Sequence, residues 1–275
     1  MNTANPIGVF DSGVGGLSVL HEIRRALPGE NLLYVADSGH APYGDKSPQF
    51  IEARSIAISE FLLSQHAKAI VVACNTATGA AVATLRSRFL MPIIAMEPAV
   101  KPAVANTKSG VIGVLATRRT LASDNFVRLF ARYSADVEIL GQACPGLVEQ
   151  VEAGDLAGNK TRILLEQYVL PLLDRGADTI VLGCTHYPFL APLIQDIAQA
   201  YNSPSHYTPP LVIDSAAAVA RQLRRRLEVG NLLADEDETG TECFWTSGTP
   251  NKAKPLVSQL WKADVEVYSL PAPKD

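Results

Sequence analysis

The sequence predicts an α/β protein made of two related halves with mainly parallel sheets and a ligand cleft between them. Three observations carry that expectation. Ala69-Ile-Val-Val-Ala-Cys-Asn-Thr76 and Thr179-Ile-Val-Leu-Gly-Cys-Thr-His186 are near-continuous apolar runs, the pattern of strands buried on both faces of a parallel sheet, and each ends on a cysteine followed by small polar residues. Val111-Ile-Gly-Val-Leu115 repeats the character of Ile7-Gly-Val-Phe10, and the interval from Gly8 to Cys74 is close to that from Gly113 to Cys184, which reads as an internal duplication. In open α/β sheets ligands bind at the carboxyl ends of the strands, so a duplicated sheet would offer two thiols, Cys74 and Cys184, to one cleft.

Taken in order, Ile7 to Phe10 reads as a strand running into the glycine loop Asp11-Ser-Gly-Val-Gly-Gly16, and Leu17, Leu20, Ile23 and Leu27 follow at helical spacing. Pro28-Gly29 stops that helix, and Leu32 to Ala36 forms the next strand. The polar loop of residues 37–45 is long for a strand-to-helix connection, which favours a functional role. Ser47 is placed to cap a helix that has Pro48 in its first turn and Ile51, Ile58 and Leu62 on one face. An alanine-rich helix from about Thr78 to Phe89 and a strand from Pro92 to Ala95 complete the first half.

The second half repeats the scheme. Val111 to Leu115 and Asp136 to Leu140 read as strands, Thr117 as a helix cap, Cys144-Pro-Gly as a turn, and residues 160–175 as a helix bent at Pro171. Beyond the Cys184 strand come a strand at Leu211 to Asp214, a helix capped by Ser215, an acidic linker around Asp235 to Glu238, and strands at Glu242 to Thr246 and Val265 to Tyr268. That tail is too short to fold by itself and is expected to return to the first half. The resulting domains are 1–97 plus 210–275, discontinuous, around an inserted 98–209.

The bulk properties narrow the class. With 275 residues, 47% hydrophobic and 19% charged, the chain can bury a sizeable core. A net charge of −4 leaves no electrostatic footprint for nucleic acid, and the basic cluster Arg221 with Arg224 to Arg226 fits a solvated helix face. No apolar run reaches the length of a membrane span and the N-terminus lacks the features of a signal peptide, so a cytoplasmic protein without membrane partners is expected. The four cysteines, 74, 144, 184 and 243, form no close pair, which argues against a CxxC motif or a disulfide framework.

Buried cysteines are usually packing, and Cys144 and Cys243 take that reading. Cys74 and Cys184 differ because Asn75-Thr76 and Thr185-His186 set donors beside the sulfur at an expected helix start, a setting that favours thiolate. His186, two residues from Cys184, can exchange a proton with it. Asp11 is open to two readings, as the cap of its glycine loop or as a carboxylate that accepts a proton or binds an ammonium group. The glycine loop could cradle a phosphate or a carboxylate, but it lacks the Lys-Ser/Thr of a P-loop. Zinc on Cys74, Cys184 and His186, a Cys-His hydrolase using Cys184 and His186, and a non-enzymatic binding module remain as alternatives.

Four motifs in order, Gly8-Val-Phe-Asp-Ser-Gly-Val-Gly-Gly-Leu17, Tyr34-Val-Ala-Asp-Ser38 with Pro42-Tyr-Gly44, Ala73-Cys-Asn-Thr-Ala77 and Leu182-Gly-Cys-Thr-His-Tyr-Pro188, together resemble the glutamate racemases, within the cofactor-independent aspartate/glutamate racemase superfamily. The resemblance spans nearly the whole chain. It implies two pseudo-symmetric α/β domains with the active site in the cleft between them, no cofactor, and interconversion of L- and D-glutamate that supplies D-glutamate for peptidoglycan. It also implies that Cys74 and Cys184 exchange the α-proton from opposite faces, assisted by Asp11 and His186 respectively. Glu152 joins the catalytic set on a less distinctive local motif. Asp11, Ser12, Pro42, Tyr43, Gly44, Asn75, Thr76, Thr185 and His186 would hold the amino acid. The oligomeric state is left open, with a homodimer as one option.

Overall fold

The fold is described from a computed structural model, over residues 2–201, 209–235 and 239–271. Among these residues ten strands form two sheets: β1 (Ile7–Asp11), β2 (Leu32–Ala36), β3 (Ala69–Val72), β4 (Ile93–Ala95), β5 (Val111–Ala116), β6 (Glu138–Ala143), β7 (Thr179–Leu182), β8 (Leu211–Ile213), β9 (Glu242–Thr246) and β10 (Val267–Ser269). The chain divides into two compact units, Met1–Met96 with Ala216–Asp275, and Glu97–Ser215. The first holds a six-stranded sheet ordered β10-β9-β2-β1-β3-β4 and the second a four-stranded sheet ordered β6-β5-β7-β8. Every pairing in both sheets is parallel.

The order β2-β1-β3-β4 in one unit is matched strand for strand by β6-β5-β7-β8 in the other. Two glycines mark the match in side-chain packing. A Cβ on Gly8 in β1 would come 2.8 Å from Leu62 Cδ1, and one on Gly113 in β5 would come 2.7 Å from Leu172 Cδ1. Each central strand therefore gives up a side chain so that a leucine from the long helix leading into the neighbouring strand, β3 or β7, can press against the backbone. Gly8 is opposite Ile70 and Gly113 opposite Ile180, the same register in both sheets. The duplication read in the sequence is thus present in topology, register and packing.

Local chemistry explains the main elements. β1, β3 and β7 are buried at every residue, as apolar strands covered on both faces must be. The helix Leu17–Ala26 buries Leu17, Leu20 and Ile23 and carries Arg24 and Arg25 in its last turn, where they complement the helix dipole. The helix Pro48–Ser64 starts as expected, with Ser47 Oγ accepting from Phe50 N at 3.2 Å. In the first unit Phe10, Val35, Ile58, Leu62, Ile70, Val72 and Leu85 share one core, and in the second Val100, Ile112, Val114, Phe126 and Val181 share another. Arg221, Arg225 and Arg226 are exposed on the helix Ala216–Val229. Among the described residues no helix is long and apolar enough to cross a membrane.

Several expectations need correction. The strand at Leu211 to Ile213 was assigned to the first domain, yet β8 pairs with β7 and lies in the second unit. It is the counterpart of β4, so the duplication itself demanded it there. The helix expected from Thr78 begins at Asn75, because Cys74 acts as its cap. Ser215 does not cap the following helix, since its buried Oγ has no hydrogen-bond partner among the described residues. Residues 100–106, 124–133, 147–152, 191–200 and 250–261 form helices that the sequence reading did not name. The acidic linker lies, from residue 236 to 238, outside the described residues.

Candidate active site

In the first unit, Asp11 is the last residue of β1 and fully buried. Its Oδ1 accepts from Ser12 N at 2.7 Å and Ser12 Oγ at 3.2 Å, and its Oδ2 accepts from Gly16 N at 2.7 Å. The carboxylate thereby wraps the glycine loop around itself, which realises the capping alternative. A Cβ at Gly16 would sit 2.7 Å from Asp11 Cβ, so the loop can close this tightly only on glycine.

Cys74 stands two residues beyond β3, at the N-cap of the helix Asn75–Arg88. Its sulfur accepts from Ala77 N at 3.4 Å, and its thiol donates to Ser12 Oγ at 3.7 Å. A sulfur here takes the place that a side-chain oxygen usually holds at a helix start. The expectation of a thiolate-favouring setting also fails here. Burial pushes the thiol well above its ordinary range and the Asp11 carboxylate adds to that, while the Ala77 amide and the Ser12 hydroxyl pull the other way and lose. These effects together favour the thiol form of Cys74.

Asn75 and Thr76 begin that helix and are both buried. Asn75 Oδ1 and Nδ2 have no hydrogen-bond partner among the described residues. Leaving both ends of a buried amide unbonded costs about 1–3 kcal/mol per group, an expense that a polar ligand beside Cys74 would offset. Pro42, Tyr43 and Gly44 lie in the loop after β2, where Tyr43–Asp45 forms a short 3-10 turn. Tyr43 is buried and its hydroxyl donates to Asp37 Oδ2 at 2.5 Å, so the side chain faces into the protein.

In the second unit, Cys184 stands two residues beyond β7, the same offset as Cys74 from β3. Its surroundings differ. No helix begins at Cys184; Thr185 and His186 lead into a 3-10 turn, Tyr187–Leu190, before the helix Ala191–Ala200. In place of a helix start, Cys184 has a histidine. His186 Nδ1 lies 3.7 Å from Cys184 Sγ, and His186 Nε2 lies 2.7 Å from Glu152 Oε1, at the end of the helix Leu147–Glu152. A carboxylate can only accept, so Nε2 carries a proton toward Glu152 and Nδ1 is the ring nitrogen that faces the thiol. His186 is buried while Glu152 keeps some exposure. Thr185, next to Cys184 in the chain, is buried.

The structure thus gathers Asp11, Ser12, Cys74, Asn75 and Thr76 at strand ends of the first sheet, and Glu152, Cys184, Thr185 and His186 at those of the second. Cys144 is buried, its thiol donating to Gln142 O at 3.3 Å, and it has the packing role expected of it. Among the described residues no group of three or more His, Cys, Asp or Glu is arranged to hold a metal ion. What was not legible beforehand is Asp37, whose fully buried carboxylate holds Tyr43 and Arg54 together. Its position at the start of the long polar loop was the available signal.

The profile of the family described as Asp/Glu/Hydantoin racemase matches residues 7–223. The chain belongs to that family. A glutamate racemase from Methylococcus capsulatus is 56% identical over 268 residues, covering 98% of this chain and 96% of the other. Among solved structures, a glutamate racemase isoform from Bacillus anthracis superposes with a TM-score of 0.86 at 31% identity over 100% of both chains. The Escherichia coli glutamate racemase in complex with L-glutamate and the activator UDP-MurNAc-ala gives a TM-score of 0.81 at 31% identity, over 96% of this chain and 97% of that one. The resemblance carried by the four motifs is borne out at the level of the family, as is the α/β fold with two parallel sheets.

Proposed function

We propose that the protein interconverts L- and D-glutamate by moving the Cα proton between two thiols, without a cofactor, and that the D-glutamate serves peptidoglycan synthesis in the cytoplasm. The observation that carries this reading is the pair of cysteines at matching places in a duplicated fold, each with its own polar partners: Asp11 and Ser12 with Cys74, His186 and Glu152 with Cys184. The preference for glutamate rests on the relatives.

The chemistry makes the residue types intelligible. The α-proton of an amino acid is a very weak acid, so the carbanion needs stabilisation from donors held in place around the α-carboxylate. The glycine loop, Ser12, Asn75, Thr76 and Thr185 are suited to that task, and the unbonded Asn75 amide is matched to a carboxylate and an ammonium group. A thiol, with an ordinary pKa of about 8.5, can reach either protonation state near neutral pH. In this scheme Cys184, with His186 to take its proton and Glu152 to orient the ring, removes the proton from L-glutamate. Cys74, resting as a thiol, returns one from the other face. In reverse, Asp11 takes the proton from Cys74, which then acts on D-glutamate.

Purified protein given L-glutamate alone should form D-glutamate until the enantiomers, equal in free energy, are present in equal amounts, as read by chiral chromatography. Treatment with hydroxylamine to remove pyridoxal phosphate, or with EDTA, should leave the rate unchanged. Activity lost to EDTA and restored by zinc would contradict the reading. The Cys184-His186-Glu152 relay also has the order of a nucleophile, base and orienting acid, which favours a hydrolase as the second reading. It would leave Cys74 idle, and a trapped acyl-enzyme would identify it.

A further inference from the structure

Pro42 and Gly44 have no side-chain hydrogen-bonding group, and the one donor on Tyr43 is spent on Asp37. Polar contact between the 42–44 turn and a ligand therefore depends chiefly on the main chain, and on what holds that main chain still. Asp37 is the common anchor. Besides the Tyr43 hydroxyl, its carboxylate takes a two-pronged hydrogen bond from Arg54, Nε to Oδ2 at 3.0 Å and Nη2 to Oδ1 at 2.7 Å, and His40 Nδ1 lies 3.0 Å from Oδ1. Asp37 N donates to Asp11 O at 3.0 Å, which ties the cluster to the strand end beside Cys74. Gly39 N donates to Ser247 Oγ at 3.1 Å, which fixes the loop to the end of β9.

The duplication shows that this clamp is not needed by the scaffold. In the second unit the residue after β6, whose N–H donates to Ala116 O at 3.0 Å as Asp37 does to Asp11 O, is Cys144. It is an uncharged thiol bonded to a neighbouring carbonyl, with no arginine fork. The Asp37–Arg54 pair belongs only to the half whose strand end leads into the 42–44 turn. A buried carboxylate deprived of its guanidinium must protonate or draw in water, and either event moves the tyrosine bonded to it.

We propose that Arg54 is a positioning residue for substrate binding: through Asp37 and Tyr43 it holds the 42–44 turn in the geometry that grips the amino acid. This rests on the reading of the protein as a glutamate racemase with that turn at the ligand. Arg54→Lys keeps the charge and loses the fork. The folded variant should show a KM for glutamate raised about tenfold, with kcat held within about threefold, because binding geometry is disturbed and the proton-transfer groups are not. Amide exchange of residues 38–46, read by mass spectrometry, should rise in parallel. A folded Arg54→Lys protein with wild-type KM, or with a fall in kcat alone, overturns the proposal. Should that variant fail to fold, Tyr43→Phe, which leaves the Asp37–Arg54 pair intact, is expected to give the same KM shift, and an unchanged KM there overturns it equally. A wild-type protein that does not racemise glutamate strikes at the function instead. The exchange measurement then still decides the role of Arg54, since unaltered protection of residues 38–46 excludes it.

Discussion

Cys74→Ala and Cys184→Ala should each lose racemisation in both directions, by roughly 10³-fold or more, because every inversion needs one sulfur to take the proton and the other to return one. Loss of activity alone would not separate a catalytic thiol from a structural one, but a changed substrate does. A glutamate analogue with a leaving group on Cβ needs only one base. As that base removes the α-proton, the electron pair forms the Cα–Cβ double bond and the leaving group departs with the electrons of its own bond. The second thiol is then dispensable. The Cys74→Ala protein should still eliminate from the L-analogue by way of Cys184, and the Cys184→Ala protein from the D-analogue by way of Cys74. The opposite pairing would exchange the faces assigned to the two sulfurs. A single variant that racemised glutamate near the wild-type rate would make Asp11 or His186 the base on that side. Cys144→Ala serves as the control, since a packing cysteine is not required for either reaction.

A second large effect is expected at the end of β3 opposite to Cys74. Lys68, immediately before β3, is fully buried, and its Nζ lies 2.5 Å from Glu30 Oε2, a charge contact rather than an aligned hydrogen bond. Nζ also donates to Thr3 O, and Glu30 Oε1 accepts from Ala234 N at 2.9 Å, so one ion pair fastens the N-terminal segment, the turn before β2, the start of β3 and residue 234. Lys68→Met removes the cation and leaves the Glu30 carboxylate buried without its partner. Breaking such a pair from one side costs about 3–5 kcal/mol, whereas replacing both partners by apolar groups of similar size is often neutral. The unfolding free energy from urea denaturation should fall by about that amount in Lys68→Met, and most of it should return in the Lys68→Met, Glu30→Leu double variant. A single variant within about 1 kcal/mol of wild type would show that the charge is compensated in another way.

How much of this was legible beforehand divides along physical lines. The strands that lead to Cys74 and Cys184 are buried at every position and apolar but for Thr179, as burial on both faces requires, so β3 and β7 were plain. The duplication was visible because the same packing demand, a glycine under a leucine, recurs at Gly8 and Gly113. Short helices such as Leu147–Glu152 were not, since six residues show no stable period, and the contact of Glu152 with His186 depends on that helix. The state of Cys74 was misjudged because a helix start favours thiolate locally, while the opposing effects come from residues distant in sequence that bury the sulfur and bring Asp11 beside it. The Asp37–Arg54 fork joins residues 17 positions apart on a loop and a helix, a pairing that no local pattern encodes.

The central claim, that separate thiols act on the two faces of Cα, is tested most directly by running L-glutamate in D₂O and analysing both enantiomers during the first few per cent of conversion. The thiol that returns a proton exchanges with solvent, whereas the one that removes it meets only the substrate's own hydrogen. The account predicts D-glutamate carrying deuterium at Cα and recovered L-glutamate still carrying protium. Deuterium entering the recovered L-glutamate as fast as D-glutamate forms, or D-glutamate that keeps the original hydrogen, would mean that a single base serves both faces and would contradict it.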